Sequence, residues 1–302
     1  MNYVCCQPAW ACETRLSRLI TSKAQCIACT RVEDVVFRGV YNTREIVDRL
    51  IVDGYTSTLT DMDADTSMHL LRLFEKSMVK HLNDESLIRV IDEGQSCCVY
   101  GDLHGQYEDL CDILDDTCDV HVFCGDYVDR GPNSFQTILF LLALAERHPG
   151  RYILLRGNHE MRDINAIHGL LDELREKYGE GQGLLLWEAS NRVFDALPLV
   201  ARVGDTFCMH GGIHPDLQVA DLAATTTPSS IFTGPMYDIM WADPAPPDGS
   251  ALTVDSPRGS GIDAVQFMMS FLSYHLYLRF ACDFFDNGFS FPNGTKKSKI
   301  PK

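Results

Sequence analysis

The sequence places three short polar clusters directly after three apolar runs, all between residues 101 and 160. The clusters are residues 101–106 (GDLHGQ), 125–131 (GDYVDRG) and 156–160 (RGNHE). Short apolar runs that alternate with longer helical patterns, such as residues 134–148, predict βαβ units with a parallel sheet. Ligand sites in such sheets collect at the carboxyl ends of the strands. We therefore expect the three clusters to meet at one edge of one sheet.

The clusters combine oxygen and imidazole ligands with an arginine. Their polar side chains are those of Asp102, His104, Asp126, Asp129, Arg130, Asn158 and His159. This mixture suits divalent transition metals better than a structural zinc, which cysteines hold more often. Two such ions need a carboxylate that bridges them, and Asp126, in the middle cluster, is the candidate. One such cluster is typical of ordinary solvated loops, but three in phase favour a metal site.

Further along the chain, three more blocks complete a family pattern. Residues 209–212 (MHGG), 241–244 (WADP) and 256–259 (SPRG) follow the clusters in order. Together the six blocks resemble the signature of the phosphoprotein phosphatases, the metal-dependent serine/threonine phosphatases among the calcineurin-like metallophosphoesterases. The resemblance implies an α/β fold of the calcineurin-like type, with a central β-sandwich flanked by helices and the active site at the C-terminal ends of strands.

The resemblance also implies two divalent metal ions, manganese or alternatively iron or zinc. Asp102, His104 and Asp126 would hold the first ion, whereas Asp126, Asn158 and His210 would hold the second. A water activated by both ions would then hydrolyse phosphoserine or phosphothreonine in proteins.

The other residues that the resemblance carries over would act on the phosphate and the leaving group. Arg130 and Arg258 would bind phosphate oxygens, because a guanidinium offers two parallel donors, and Asn158 would also contact the phosphate. His159 would protonate the departing alkoxide. Asp129 would orient His159.

The sequence departs from the family near its C-terminal end. An alignment anchored on Gly288 sets Cys282 where the family has a histidine ligand to the second metal, and the chain ends at Lys302 before the last family strands. A thiolate ligand at Cys282 would change the metal preference. We expect an enzyme of reduced activity. The alternatives are a pseudo-phosphatase that binds phosphoproteins without efficient turnover, and a dinucleoside polyphosphate hydrolase.

The amino-acid composition indicates which kinds of molecule the protein binds and where in the cell it is found. The net charge of −16, from 42 acidic against 26 basic side chains, argues against a nucleic-acid binder. No apolar run is long enough to span a bilayer, and the N-terminus lacks a signal-peptide pattern. We expect a cytoplasmic or nuclear protein that binds phosphoprotein substrates and regulatory subunits. Its twelve cysteines, including Cys97, Cys98, Cys124 and Cys208 in predicted strands, are expected to be reduced.

We expect residues 1–40 to form a variable, cysteine-containing N-terminal extension and residues 41–302 the catalytic domain, with incomplete C-terminal strands. Hydrophobic periodicity predicts helices at residues 42–52, 66–82, 163–177 and 184–196, a strand at 87–91 and a hairpin at 197–210. Glycines 179, 181 and 183 are expected to separate the last two helices, and residues 218–230 and 244–256 to be loops. Glu160 is interpreted as a residue at the start of a helix, where acidic side chains are favoured.

Overall fold

A computed structural model describes residues 43–242, apart from gaps at residues 57–61, 86–87, 92–93, 115–116, 204–205, 213–216, 226–227 and 231. The chain divides into two units, one of Met1–Arg49 with Phe284–Lys302 and one of Leu50–Asp283. Of the first unit, the structure describes only residues 43–49, which form the start of one helix. The expected N-terminal extension, Arg258, Cys282 and residues 244–256 lie outside the described residues.

Helices and short strands alternate along the described chain. The helices are α1 (Thr43–Thr56), α2 (Ala64–Glu85), α3 (Tyr107–Ile113), α4 (Ser134–Arg147), α5 (Arg162–Asn165), α6 (Leu170–Tyr178), α7 (Glu180–Phe194), α8 (Val219–Ala224) and α9 (Pro235–Trp241). The strands are β1 (Ile88–Ile91), β2 (Cys97–Tyr100), β3 (Val120–Phe123), β4 (Tyr152–Leu154), β5 (Val200–Val203) and β6 (Thr206–Cys208).

The strands form two three-stranded sheets. One sheet has the order β2-β3-β4 and is parallel throughout. The other has the order β1-β5-β6, in which β1 and β5 are parallel and β5 and β6 form the expected antiparallel hairpin. The predicted α/β fold, with its parallel sheet built from three apolar runs, is therefore confirmed.

Apolar side chains from both sheets meet in one core. Val122 of β3 and Ile153 of β4 share a buried cluster with Ile91 of β1 and Ala201 of β5. Helix α4 contacts β4, and its side chains from Ser134 to Ala145 are all buried. Burying these apolar faces keeps the sheets, and so the loops at their ends, in a fixed position.

Three predictions about the helical segments were wrong. The helix expected at residues 163–177 is two helices, α5 and α6, because the chain turns at Gly169, where φ is 147°. Gly181 and Gly183 lie inside α7 rather than between helices. A Cβ on Gly183 would lie 2.6 Å from the carbonyl oxygen of Leu174 in α6, so this glycine lets two helices pack closely. The loop expected at residues 218–230 contains α8.

The described residues include no helix that is both long and apolar enough to cross a membrane.

The prediction that all cysteines are reduced was wrong for one pair. Cys98 in β2 and Cys118, just before β3, form a disulfide with a Cα–Cα distance of 6.0 Å. Their separation of 20 residues hides this proximity in the sequence, whereas the parallel register of β2 and β3 creates it. Cys97, Cys124 and Cys208 are not disulfide-bonded.

Reduction of the Cys98–Cys118 disulfide should lower the thermal stability of the protein. Opening a loop of this length removes about 3 kcal/mol of stabilisation, because the unfolded chain gains freedom. Thermal unfolding with and without a reductant measures the effect, and a Cys98→Ser variant should show no response to reductant. Equal melting temperatures of the parent under both conditions would contradict the expectation.

Candidate active site

Four strands deliver polar side chains to one place through the loops at their carboxyl ends. Strands β2, β3 and β4 end at Tyr100, Phe123 and Leu154, and β6 ends at Cys208. The side chains that follow these ends lie together, as the sequence predicted for the three parallel strands. They are Asp102, His104, Asp126, Asp129, His159 and His210. Asn158 precedes His159 in the same turn.

Backbone contacts hold these loops against one another. The N–H groups of Leu103 and His104 donate to the carbonyl of Asp126 at 3.0 and 2.9 Å. The N–H of His159 donates to Oδ1 of Asp126 at 2.9 Å. A Cβ on Gly157 would overlap both the backbone nitrogen and the carboxylate of Asp126. Glycine at residue 157 is therefore needed for the third loop to approach the second.

Backbone strain within the described chain is concentrated in these loops. Its non-glycine residues with positive φ are His104 (42°), Asp126 (54°), Asp129 (71°) and Arg130 (64°). Such conformations cost free energy and persist where the surroundings enforce them, often at functional sites. The sequence carries no signal for this feature, because these residue types occur in every kind of loop.

Two carboxylates lie between two imidazoles. Oδ2 of Asp102 and Oδ2 of Asp126 are 3.5 and 3.6 Å from Nε2 of His104. Oδ1 of Asp126 is 3.4 Å from Nε2 of His210, and Oδ1 of Asp102 is 3.7 Å from Nδ1 of His210. The predicted ligand set placed Asp102 with His104 and Asp126 at the first ion, but in the structure Asp102 also lies near His210.

The potential metal ligands form two groups with one common member. Asp102, Asp126 and His210 make one group, while His104, Asp126 and His159 make the other, with ligand atoms within 4.8 Å of one another in each. Asp126 is thus the residue that the two groups share. Its assignment as a bridging ligand stays a prediction.

Two buried atoms at the site have no hydrogen-bond partner among the described residues. They are Nε2 of His104 and Oδ1 of Asn158. Leaving a buried polar atom without a partner normally costs about 1–3 kcal/mol, so such atoms call for an explanation. A divalent cation accepts electron pairs from imidazole nitrogens and amide oxygens. The residues present therefore fit a metal site.

The charge around His104 favours a cation. Burial by itself would lower the pKa of His104, but the neighbouring Asp102 carboxylate, the Val128 carbonyl and the charge of Asp126 raise the pKa above its ordinary value. The Val128 carbonyl lies 2.9 Å from Nδ1 of His104, which leaves Nε2 to face the carboxylates. The carboxylates that attract a proton to this imidazole would equally attract a metal ion.

A second group of interacting side chains, Asp129, His159 and Arg130, lies beside the carboxylates of Asp102 and Asp126. Nδ1 of the buried His159 is 2.7 Å from Oδ2 of Asp129, and its Nε2 is 3.0 Å from Nη2 of the exposed Arg130. Because guanidinium nitrogens only donate, Nε2 of His159 accepts from Arg130 in this arrangement, and Nδ1 donates to Asp129. The expected pairing of Asp129 with His159 is present in the structure.

The local sequence around Glu160 does not reveal its structural role. It is fully buried in a 3-10 turn (Asn158–Glu160). Its carboxylate accepts the backbone N–H groups of Asp126 at 2.7 Å, Tyr127 at 2.8 Å and Gly157 at 3.0 Å. Burial, together with the charge of Asp126, raises the pKa of Glu160 to about 7. Glu160 thus holds the strained turn that carries Asp126.

The fold of this chain was compared with those of solved protein structures, and three of the similar structures are described here. A protein serine/threonine phosphatase from Saccharomyces cerevisiae, with similarity to human phosphatase PP5, is 23% identical with a TM-score of 0.59, covering 89% of this chain and 76% of that chain. At this low sequence identity, the similarity shows that the two proteins share a fold and shows nothing further about activity. A cold-active protein-tyrosine phosphatase of a psychrophile, Shewanella sp., gives 19% identity, coverage of 45% and 49%, and a TM-score of 0.37. A putative diadenosine tetraphosphatase gives 18% identity, coverage of 59% and 87%, and a TM-score of 0.30. The last two TM-scores are too low to support an argument.

The family model for calcineurin-like phosphoesterases matches residues 97–285, more than half of the 302-residue chain. The matched span begins at β2 and contains all the loops described above. The resemblance seen in the ordered sequence blocks is thereby confirmed, and the chain belongs to the calcineurin-like phosphoesterase family.

Proposed function

We propose that this protein hydrolyses phosphoserine and phosphothreonine in proteins, using two divalent metal ions, with manganese as the first candidate. The observation that carries the proposal is the pair of carboxylates, Asp102 and Asp126, between the imidazoles of His104 and His210. An arginine and a carboxylate-paired histidine stand beside them. This combination supplies groups for metal binding, phosphate binding and proton transfer in one site.

The metal ligands would be those that the sequence predicted. Asp102, His104 and Asp126 would hold one ion, and Asp126, Asn158 and His210 the other. The unpartnered Nε2 of His104 and Oδ1 of Asn158 support this assignment. When bound, the ions would lower the pKa of a water molecule and so supply a nucleophile at neutral pH.

Arg130 would bind the phosphate. Its guanidinium is exposed and lies next to His159, so an incoming phosphate can attract it by two parallel, charge-assisted hydrogen bonds. This movement would free Nε2 of His159 to take up a proton. The proposed role of Arg258 in the same task rests on the family resemblance.

His159 would then protonate the leaving group. As the oxygen of water forms a bond to phosphorus, the bond from phosphorus to the serine or threonine oxygen breaks, and the proton on Nε2 of His159 moves to that oxygen. Asp129 fixes the ring through Nδ1 at 2.7 Å and stabilises the protonated imidazole. The products are a free hydroxyl side chain and inorganic phosphate.

Turnover by the purified 302-residue chain with added Mn²⁺ tests the proposal. We expect release of phosphate from phosphoserine and phosphothreonine peptides and from an aryl phosphate, with little from diadenosine tetraphosphate. Cleavage of the dinucleotide in preference to phosphopeptides would overturn the protein-substrate assignment. Tight phosphopeptide binding without turnover would instead indicate a pseudo-phosphatase.

A further inference from the structure

Asp129, the partner of His159, is held by hydrogen bonds to the first residues of two helices. Its side chain is fully buried, and its backbone has a φ of 71°, which needs external support. Its Oδ1 accepts the N–H of Leu170 at 2.9 Å, and its own N–H donates to Oγ of Ser134 at 3.0 Å. Ser134 opens α4 and Leu170 opens α6, so two helix starts determine where this carboxylate lies.

Glu173, in the first turn of α6, joins these two helix starts. Its Oε2 accepts the N–H of Ser134 at 2.8 Å, and its Oε1 accepts the N–H of Phe135 at 2.9 Å. The first N–H groups of a helix have no partner within the helix. Asn133, at the N-cap position of α4, makes no side-chain capping bond. Glu173 therefore caps α4 from a different helix.

The hydroxyl of Ser134 extends this contact to Asp129. It accepts the N–H of Asp129 at 3.0 Å, while the backbone N–H of the same serine donates to Glu173 at 2.8 Å. These contacts form a closed ring. Asp129 is hydrogen-bonded to Leu170, and the first turn of α6 connects Leu170 to Glu173. Glu173 is hydrogen-bonded to Ser134, which is hydrogen-bonded to Asp129. A change at Glu173 therefore acts directly on Ser134, one of the two residues that hold Asp129.

We propose that Glu173 is a positioning residue for the Asp129–His159 pair, and so for protonation of the leaving group. This inference deepens the proposed function and rests on it for the role of His159. Glu173 contacts neither the metal-ligand candidates nor the phosphate-binding arginine in any hydrogen bond found among the described residues. Its effect would pass through Ser134 to Asp129.

The ring needs a carboxylate rather than an amide. Glu173 accepts two N–H groups with two different oxygens, whereas glutamine has one acceptor oxygen and an NH₂ group that would face one of these donors. Burial raises the pKa of Glu173, while the hydrogen bonds from Phe135 and Ser134 act in the opposite direction. A Glu173→Gln change keeps the side-chain volume but breaks one bond of the cap.

The test compares two phosphate esters. An alkyl phosphate needs a proton at departure, but an aryl phosphate leaves with little help. In the 302-residue chain with Mn²⁺, Glu173→Gln should reduce kcat for an alkyl phosphate by the ~10–100-fold typical of lost supporting contacts. It should reduce kcat for an aryl phosphate far less. Glu176→Gln, an exposed glutamate on the same helix, is the matched control and should change neither rate. Equal losses on both esters, or no loss, would overturn the proposal.

A second variant keeps the test decisive if Glu173→Gln folds poorly. Ser134→Ala removes the hydroxyl that accepts the Asp129 N–H but leaves the backbone N–H groups capped by Glu173. It should show the same selective loss on the alkyl ester. An unchanged ratio of the two rates in Ser134→Ala would overturn the ring as the route to Asp129.

A spectroscopic measurement separates this inference from the proposed function. The proton between Nδ1 of His159 and Asp129 should give a downfield NMR signal in the metal-free parent, shifted or lost in Glu173→Gln and unchanged in Glu176→Gln. Phosphopeptides that are not cleaved, with this NMR difference intact, would reject the proposed substrate but retain the positioning role. A signal that is the same in all three proteins would reject the positioning role.

Discussion

Replacement of Asp126 by asparagine should abolish turnover and impair metal binding at both predicted sites. Oδ1 of Asp126 accepts the N–H of His159, and an asparagine oxygen can retain that bond. The NH₂ group would then take the place of Oδ2 and face Nε2 of His104, now 3.6 Å from that oxygen. A donor in this place cannot bind a cation, so both predicted sites lose a charged ligand. The affinity for metal should fall by more than the ~10–100-fold typical of changes outside the ligand shell.

Metal titration by calorimetry and thermal unfolding with and without Mn²⁺ measure this effect apart from catalysis. The parent should gain stability on binding the metal, whereas Asp126→Asn should gain little. The metal-free variant should be no less stable than the parent, because the charge of Asp126 opposes ionisation of the buried Glu160. Asp109→Asn, an exposed carboxylate on α3, serves as the matched control. Two bound metal ions and near-parental activity in Asp126→Asn would sink the bridging assignment.

The sequence predicts the framework of the site because its signals are local. The apolar runs before residues 101, 125 and 156 become β2, β3 and β4, and parallel pairing then brings Asp102, Asp126 and Asn158 to one edge of the sheet. Alternation of apolar runs and helical periodicity suffices for that step. The approximate extents of α2 and α4 follow from the same periodicity.

What the sequence could not predict depends on contacts between distant residues. Glu160 has the local signature of a helix start, but its partners, Asp126 and Tyr127, lie 34 and 33 residues earlier. Glu173 has the signature of an ordinary acidic first turn, yet it caps another helix. Gly183 would break an isolated helix, but the close approach of α6 requires it. In each case the tertiary neighbour decides the role, and the neighbour is not visible in the local sequence.

Replacement of His159 by asparagine should slow hydrolysis of an alkyl phosphate by about 10²–10⁴-fold, the usual contribution of a general acid. An aryl phosphate should lose much less, because its leaving group departs without a proton. Asparagine removes Nε2, the atom that lies 3.0 Å from Arg130 and that would carry the proton to the leaving oxygen. The ratio of kcat values for the two esters, measured with saturating Mn²⁺, is the quantity to compare.

Two further variants fix the interpretation of that ratio. Asp129→Asn should change the ratio of kcat values in the same direction but by a smaller factor. The imidazole of His159 remains in this variant, but the anionic partner 2.7 Å from its Nδ1 is lost. His148→Asn should leave it unchanged, since this exposed histidine follows the far end of α4, roughly 20 Å from the helix start at 1.5 Å per residue. Equal losses on both esters in His159→Asn would mean that His159 acts on binding or on the nucleophile, since only a proton donor to the leaving group distinguishes an alkoxide from a phenoxide.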